Sequence, residues 1–386
     1  MDKKNHIDIV KHAWKEFDDR HEIRGVYDVS MYVSTNQVYK ISFYEREPVF
    51  AKLSDYGKYD DFRDDHIIIN NLANNLEHPY QMFLAQSLVK KNELFIYRYH
   101  QEKNSAWVIF YNPIQIRNKL PRRLEDKHIR KLGRELARFH KACTNVTNQL
   151  PTTSKSVVTD IHKLIKSVNN KEIKMCVSHR DLILRHCDHF LNNADKVNYT
   201  TEFEAIPGVV DWNIGNFSIT GDGKFFSRWD YDWFRMSSRV MDFYFFSRVV
   251  SDVGDRSVFC YLVDTLMEDR FMMFLKEYHR IFPLTEPEVR FIKEAYRFFI
   301  LNYVIKDGPY FFRETYSNKL IKEAYDTYFP ALDANYRVEK ILNTLKYDIK
   351  NKYIDTIDIN TLDDYSKIYN RVNDNISINR YNRPHN

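Results

Sequence analysis

Between residues 208 and 235 the chain reads GVVDWNIGNFSITGDGKFFSRWDYDWFR, and no other stretch limits its fold so tightly. Asp211 is followed five residues later by Asn216, and Gly215 between them allows a tight turn. The apolar runs NFSI and FFSRW flank Thr220-Gly221-Asp222-Gly223-Lys224, a pattern that predicts a short β-hairpin. Asp230 closes the second run, fourteen residues after Asn216. The hairpin then sets Asn216 and Asp230 side by side, with Asp211 on the loop before them. An amide oxygen and a carboxylate at one point suit a hard cation such as magnesium. A second carboxylate beside them is free to face a hydroxyl group.

A rival loop is SHRDLILRH, residues 178–186. His179-Arg180-Asp181-Leu182 looks like the H-R-D-L-x-x-x-N loop of protein kinases, but His186 stands where that pattern needs Asn. Asp181 also lies 49 residues before Asp230, too far for a loop and its metal carboxylate. DLILRHCDHFLNNA reads instead as a helix with Leu182, Arg185 and His189 along one side. His179, His186, Cys187 and His189 lack the paired close ligands, drawn from two elements, that a structural zinc site shows.

Periodicity divides the chain. Residues 1 to about 20 look helical, and VYDVSMYV, QVYKISFY and PVFAKLS then read as strands, with Glu47-Pro48 at a turn. Helical spacing follows over 60–75, carried by Phe62, Ile67, Ile68 and Leu72. MFLAQSLV and ELFIYRYH predict two more strands. Beyond them HIRKLGRELARFHKACTN is strongly amphipathic through Ile129, Leu132, Leu136 and Phe139, and helices are predicted over 156–168 and 181–196. After Asp242 long helices run to about 347, with breaks near Pro283, Pro287 and Pro330. The expected fold is α+β in two lobes: a small N-terminal antiparallel sheet with one helix, and a larger, mainly helical C-terminal lobe. The expected boundaries are 1–103, 104–347 and a polar tail over 348–386.

Composition narrows the partners. The 58 basic and 53 acidic residues leave a net charge of +5, well mixed, which favours an anionic ligand such as a nucleotide and does not suit a nucleic-acid binder. Cys143, Cys176, Cys187 and Cys260 form no C-x-x-C pair, as expected in a reducing compartment. MDKKNHIDIVKHAW has no apolar signal region, and no apolar run approaches a membrane span. The expectation is a soluble, cytoplasmic protein with no membrane contact.

Residues 208–235 resemble the catalytic core of the aminoglycoside phosphotransferase and choline kinase superfamily, small-molecule kinases with a protein-kinase-like fold. That core has a loop H-x-D-x-x-x-x-N, a hairpin, and an apolar strand ending in Asp with an aromatic after it. Asp211 matches the catalytic Asp, Asn216 the metal-binding Asn, Asp230 the second metal ligand followed by Tyr231, and Asp242 a later helix Asp. LGRELARFHKAC, 132–143, is similar to the superfamily helix ending Leu-Ala-x-Leu-His, and Lys52 in VFAKLS falls on the third strand, where the phosphate-binding lysine belongs. The resemblance implies ATP as co-substrate, Mg2+ on Asn216 and Asp230, and Asp211 orienting the hydroxyl of a small-molecule acceptor.

Three positions depart from the pattern. Val209 stands where the loop His belongs, a residue that mainly braces the loop. The nucleotide-covering loop is the glycine-free STNQV, so Ser34, Thr35 and Asn36 are the expected donors to phosphate, or else form an ordinary hairpin turn. The helix carboxylate for Lys52, usually Glu, is expected to be Asp65, chosen over Asp61 and Asp64. The leading expectation is a kinase acting on a small-molecule hydroxyl. The alternative is a nucleotide-binding pseudokinase or regulatory module without turnover. No motif in 240–340 selects an acceptor, and Arg235 and Arg239 are expected either to bind an anionic acceptor or to pair with Asp232 and Asp242.

Overall fold

The computed structural model describes residues 3–101, 104–121, 123–153, 155–252 and 260–347. The predicted tail, 348–386, lies outside the described residues. A helix, α1 (Lys3–Phe17), leads into three antiparallel strands, β1 (Ile23–Asp28), β2 (Gln37–Phe43) and β3 (Val49–Ser54). A second helix, α2 (Tyr59–Asn75), follows. Two further strands, Ile96–Gln101 and Asn104–Tyr111, complete a five-stranded sheet in which Asn104–Tyr111 lies between β3 and Ile96–Gln101.

The fifth strand corrects the sequence reading twice. MFLAQSLV is not a strand of this sheet: it makes isolated bridges from Leu84 to Arg228 and from Ser87 to Tyr111, and Val89–Lys90 forms a two-residue ladder with Glu93–Leu94. The strand that joins β3 to the edge strand Ile96–Gln101 is SAWVIFY, which lies past the expected boundary at 103, and the sheet runs in sequence to Tyr111. Its residues 106–111 are all buried, which erases the alternation that marks a half-exposed strand. Both helices read in the first 75 residues are present, as α1 and α2.

Period-2 geometry gives the sheet two faces. Val49, Ala51 and Leu53 pack with Ile9, Val10, Ala13 and Trp14 of α1. Phe50 and Lys52 therefore point the other way, and Phe50 joins the larger core that holds α2 and the helical remainder. That parity aims Lys52 at the second lobe.

The helical part is built around Asp126–Val146, Val157–Asn169, Arg180–Lys196, Asp269–Ile281 and Glu286–Phe299. The prolines act as read: Pro283 sits between two helices, and Pro287 and Pro330 lie in the first turns of theirs. The His179-Arg180-Asp181 stretch opens the Arg180–Lys196 helix, where Asp181 is 80% exposed and pairs with Arg180. Helix Asp126–Val146 approaches Asp269–Ile281 so closely at Gly133 that a Cβ there would stand 2.4 Å from the Phe274 carbonyl oxygen. Gly133→Ala is accordingly expected to cost about 1–3 kcal/mol, as overpacked cores do, read as a lower urea midpoint at unchanged slope.

Candidate active site

The hairpin forms as the spacing predicts. Phe217–Ile219 and Phe225–Arg228 pair antiparallel, and Gly223 takes φ +82° in the connecting turn. Phe217 pairs with Arg228, so Asn216 and Trp229 are adjacent, with Trp229 N–H donating to the Asn216 carbonyl at 3.0 Å. The Asn216 side-chain amide donates to Asp211 Oδ2 at 3.0 Å. Asp211, Asn216 and Asp230 thus meet at one edge of the hairpin.

Asp242 fixes the loop before them. Fully buried, it accepts from Val210 N–H at 2.8 Å and from Trp212 Nε1–H at 2.7 Å. His140 Nε2 reaches the same carboxylate at 3.1 Å, and Tyr278 OH lies 2.8 Å from His140 Nδ1. Val210 has φ +61°, a costly conformation for a β-branched residue, and the Asp242 bond holds it there. His140 is the final His of the helix motif noted in the sequence. Burial keeps its pKa below the ordinary value although Asp242 favours the cation.

Lys52 reaches the site from β3. Its ammonium makes a close ion pair with Asp232 and lies 3.5 Å from Asp230 Oδ1. Burial alone would discharge it, but the two carboxylates outweigh burial and hold its pKa above the usual lysine value. Asp65 does not join it. Asp65 pairs with Lys155 at 2.5 Å, and burial pushes its carboxyl up to about 6. The expected Lys52–Asp65 pair is therefore corrected: the partner comes from the second lobe, two residues beyond Asp230. An Asp on α2 is one methylene shorter than the Glu usual at that place, and Asp232 takes the ammonium.

Carboxylate protonation is divided across the site. Burial pushes Asp211 up to about 6, with the Asp230 charge adding and Arg228 opposing. Asp230 keeps 40% side-chain exposure; what burial it has works against its charge, but Lys52 and Arg228 prevail and hold it below the ordinary carboxylate range. Burial and the Asp230 charge push Asp232 up to about 6 despite Lys52.

The loop over 34–36 is committed elsewhere. Thr35 N–H donates to Phe311 O at 3.1 Å, Arg313 N–H to Val33 O at 3.1 Å, and Ser34 bridges Phe312 antiparallel. Ser34 Oγ accepts from Asn36 N–H at 3.0 Å. Asn36 donates its amide to Asp232 and accepts from Ser54 Oγ at 3.1 Å. Of the three expected phosphate donors, only Asn36 lies beside Lys52, and the backbones of Ser34 and Thr35 meet the 311–313 segment. The expected pairings of two arginines are also replaced: Arg235 pairs with Asp160 at 2.6 Å and Arg239 with Glu288 at 2.7 Å.

Asn216 and Asp230 fit a magnesium ion. The Asn216 amide is turned so that its NH2 faces Asp211, which leaves the Oδ1 oxygen for a cation, and the Asp230 carboxylate is ionised and partly exposed. No group of three His, Cys, Asp or Glu able to hold a metal occurs among the described residues. A carboxylate–amide pair suits magnesium completed by phosphate oxygens and water better than a closed protein cage.

Known structures share this architecture. The chain has the two-lobed, protein-kinase-like fold of the small-molecule kinases, at low sequence identity. A microcompartment-associated aminopropanol kinase matches at TM-score 0.56 and 12% identity, covering 89% of this chain and 99% of its own. An amicoumacin kinase in complex with AMP-PNP, Ca2+ and Ami matches at 0.54 and 12%, covering 90% and 95%. The GDP complex of wild-type aminoglycoside 2'-phosphotransferase-IIIa matches at 0.52 and 14%, covering 87% and 100%. No protein-family model and no curated protein sequence matches the chain. No helix among the described residues is long and apolar enough to cross a membrane.

Proposed function

We propose that this protein is a phosphotransferase that moves the γ-phosphoryl group of ATP to a hydroxyl of a small-molecule acceptor. One observation carries the reading: in a kinase-like fold the Lys52 ammonium of the N-terminal sheet lies 3.5 Å from Asp230, next to the loop on which Asn216 bonds Asp211. Lys52 would hold the phosphates and Asn216 and Asp230 the magnesium. Bound there, magnesium would neutralise charge on the phosphate oxygens. Asp211 would orient the acceptor hydroxyl and take its proton late in transfer. The N-terminal lobe, here drawn to Tyr111, and the helical lobe beyond it would each supply part of the cleft.

The test is ATP turnover by the full chain over a panel of hydroxyl-bearing metabolites, with Asp211→Ala as control. Turnover that vanishes in the control supports the reading, and turnover equal to native in the control contradicts it. Because Asp211 must be ionised to accept a proton and titrates at about 6, the rate is expected to fall on the acid side of pH 6 and to level off above pH 7. A pH–rate profile checks this.

The second reading, a nucleotide-binding module without turnover, draws on Asp232. Its carboxylate occupies the Lys52 ammonium that phosphate would need. ATP binding without turnover over the whole panel would favour it.

A further inference from the structure

Arg228 is the least expected residue of the site. It sits two positions before Asp230 on the hairpin, inside an apolar run, and is 0% exposed. Its backbone is locked: Arg228 N–H donates to Phe83 O at 2.6 Å, and Arg228 O accepts from Ala85 N–H and from Tyr231 OH at 2.9 Å each. Its side chain turns back under the loop. One guanidinium nitrogen donates to the Asp211 carbonyl at 2.7 Å, and the other donates to the Asn216 carbonyl at 3.0 Å and to the Trp229 carbonyl. The ring faces of Trp212 and Tyr231 lie 5.6 and 5.8 Å away.

These three carbonyls belong to the residues that carry the chemistry, or to the one just before it. Asp211 and Asn216 sit on the loop, and Trp229 precedes Asp230. A buried arginine is costly, and its planar fork of five donors is suited to tie three carbonyl oxygens of two segments at once. Every hydrogen bond its side chain makes goes to a backbone carbonyl and none to a carboxylate, while Nε stays buried without a partner. Val209, buried where a loop His would brace the same junction, has no polar side-chain atom to offer.

We infer that Arg228 is the positioning residue that couples the Asp211–Asn216 loop to the Asp230 strand, replacing from the metal strand the brace that Val209 cannot supply. This rests on the phosphotransferase reading for its effect on rate. It does not rest on it for the geometry of the cation site.

The experiment uses the full chain as native protein, Arg228→Met and Arg228→Lys. Mn2+ binding in the presence of ADP is followed by electron paramagnetic resonance, metal-free ADP binding by calorimetry, and ATP hydrolysis with water as acceptor by phosphate release. Arg228→Met is expected to weaken Mn2+ about tenfold, as loss of a residue that orients metal ligands does, and to lower kcat about a hundredfold. Metal-free ADP affinity should stay within about threefold of native, which separates local positioning from general damage. Arg228→Lys, which keeps the charge and part of the donor set, should recover part of both losses.

Mn2+ affinity and kcat within about threefold of native in Arg228→Met would overturn the inference. So would an equal loss of metal-free ADP binding. If Arg228→Met does not fold, Arg228→Lys decides: an Mn2+ affinity indistinguishable from native overturns the inference, and a selective loss supports it. If the native protein binds Mn2+ with ADP yet turns over ATP neither with water nor with any acceptor of the panel, the phosphotransferase reading fails, and the metal affinities alone decide the role of Arg228.

Discussion

Asp211→Asn is expected to stop phosphoryl transfer and at the same time to raise the melting temperature. The activity loss should reach at least about a thousandfold, the range for removing a positioned proton acceptor. The stability gain follows from the sign of the shift. The Asp211 carboxyl titrates near 3.8 in the unfolded chain and at about 6 in the folded one. Between those values the folded state holds a proton that the unfolded state has released, so stability falls as pH rises through the window and stays lowered above it. At pH 8 the buried charge costs on the order of 2 kcal/mol, after allowance for partial exposure. Asn keeps the shape and an oxygen for the Asn216 amide but carries no charge. A rise of a few degrees at pH 8, shrinking as pH approaches 4, is the expected calorimetric result. A lower melting temperature at pH 8 would contradict it.

Asp242→Ala should have the opposite profile, a large loss of stability from a residue that touches no substrate. Asp242 is 0% exposed and accepts from Val210 N–H, Trp212 Nε1–H and His140. Its removal leaves three buried polar groups without their acceptor, worth about 3–5 kcal/mol for a charged hub of this kind. Val210 would also lose the bond that holds it at φ +61°, so the loop ahead of Asp211 should relax. Urea unfolding at constant slope measures the first effect, and a fall in turnover beyond the fraction unfolded measures the second. A cost below about 1 kcal/mol would show that the hub is not structural.

The two lobes, the hairpin and the meeting of Asp211, Asn216 and Asp230 were legible because each follows from local signals: turn glycines, strand alternation and fixed spacing. Lys52 was legible for the same reason, since parity along β3 sets its face. What escaped the sequence depends on contacts across it. Residues 106–111 of the fifth strand are all buried and show no alternation, while MFLAQSLV mimics a strand. In sequence Asp65 is the expected partner of Lys52 because it lies on the helix after β3, and Asp232 gives no local signal for that place; which one reaches the ammonium is set by how α2 and the second lobe close on β3. Ser34 and Thr35 could not be assigned to the 311–313 segment from local pattern, because nearly 280 residues separate them. Arg228 gave a signal that went unread: an arginine inside an apolar strand is rarely buried without a task.

The central claim is that Asp230 helps to form a magnesium-dependent nucleotide site opposite Lys52. The most direct measurement is a thermal-shift titration of native protein and Asp230→Asn with ATP, with and without magnesium. ATP at about a hundred times its Kd should stabilise the native protein by about 2.7 kcal/mol. The account predicts that this shift requires magnesium and is lost in Asp230→Asn. No shift at millimolar ATP, or a shift that Asp230→Asn leaves unchanged, would contradict it.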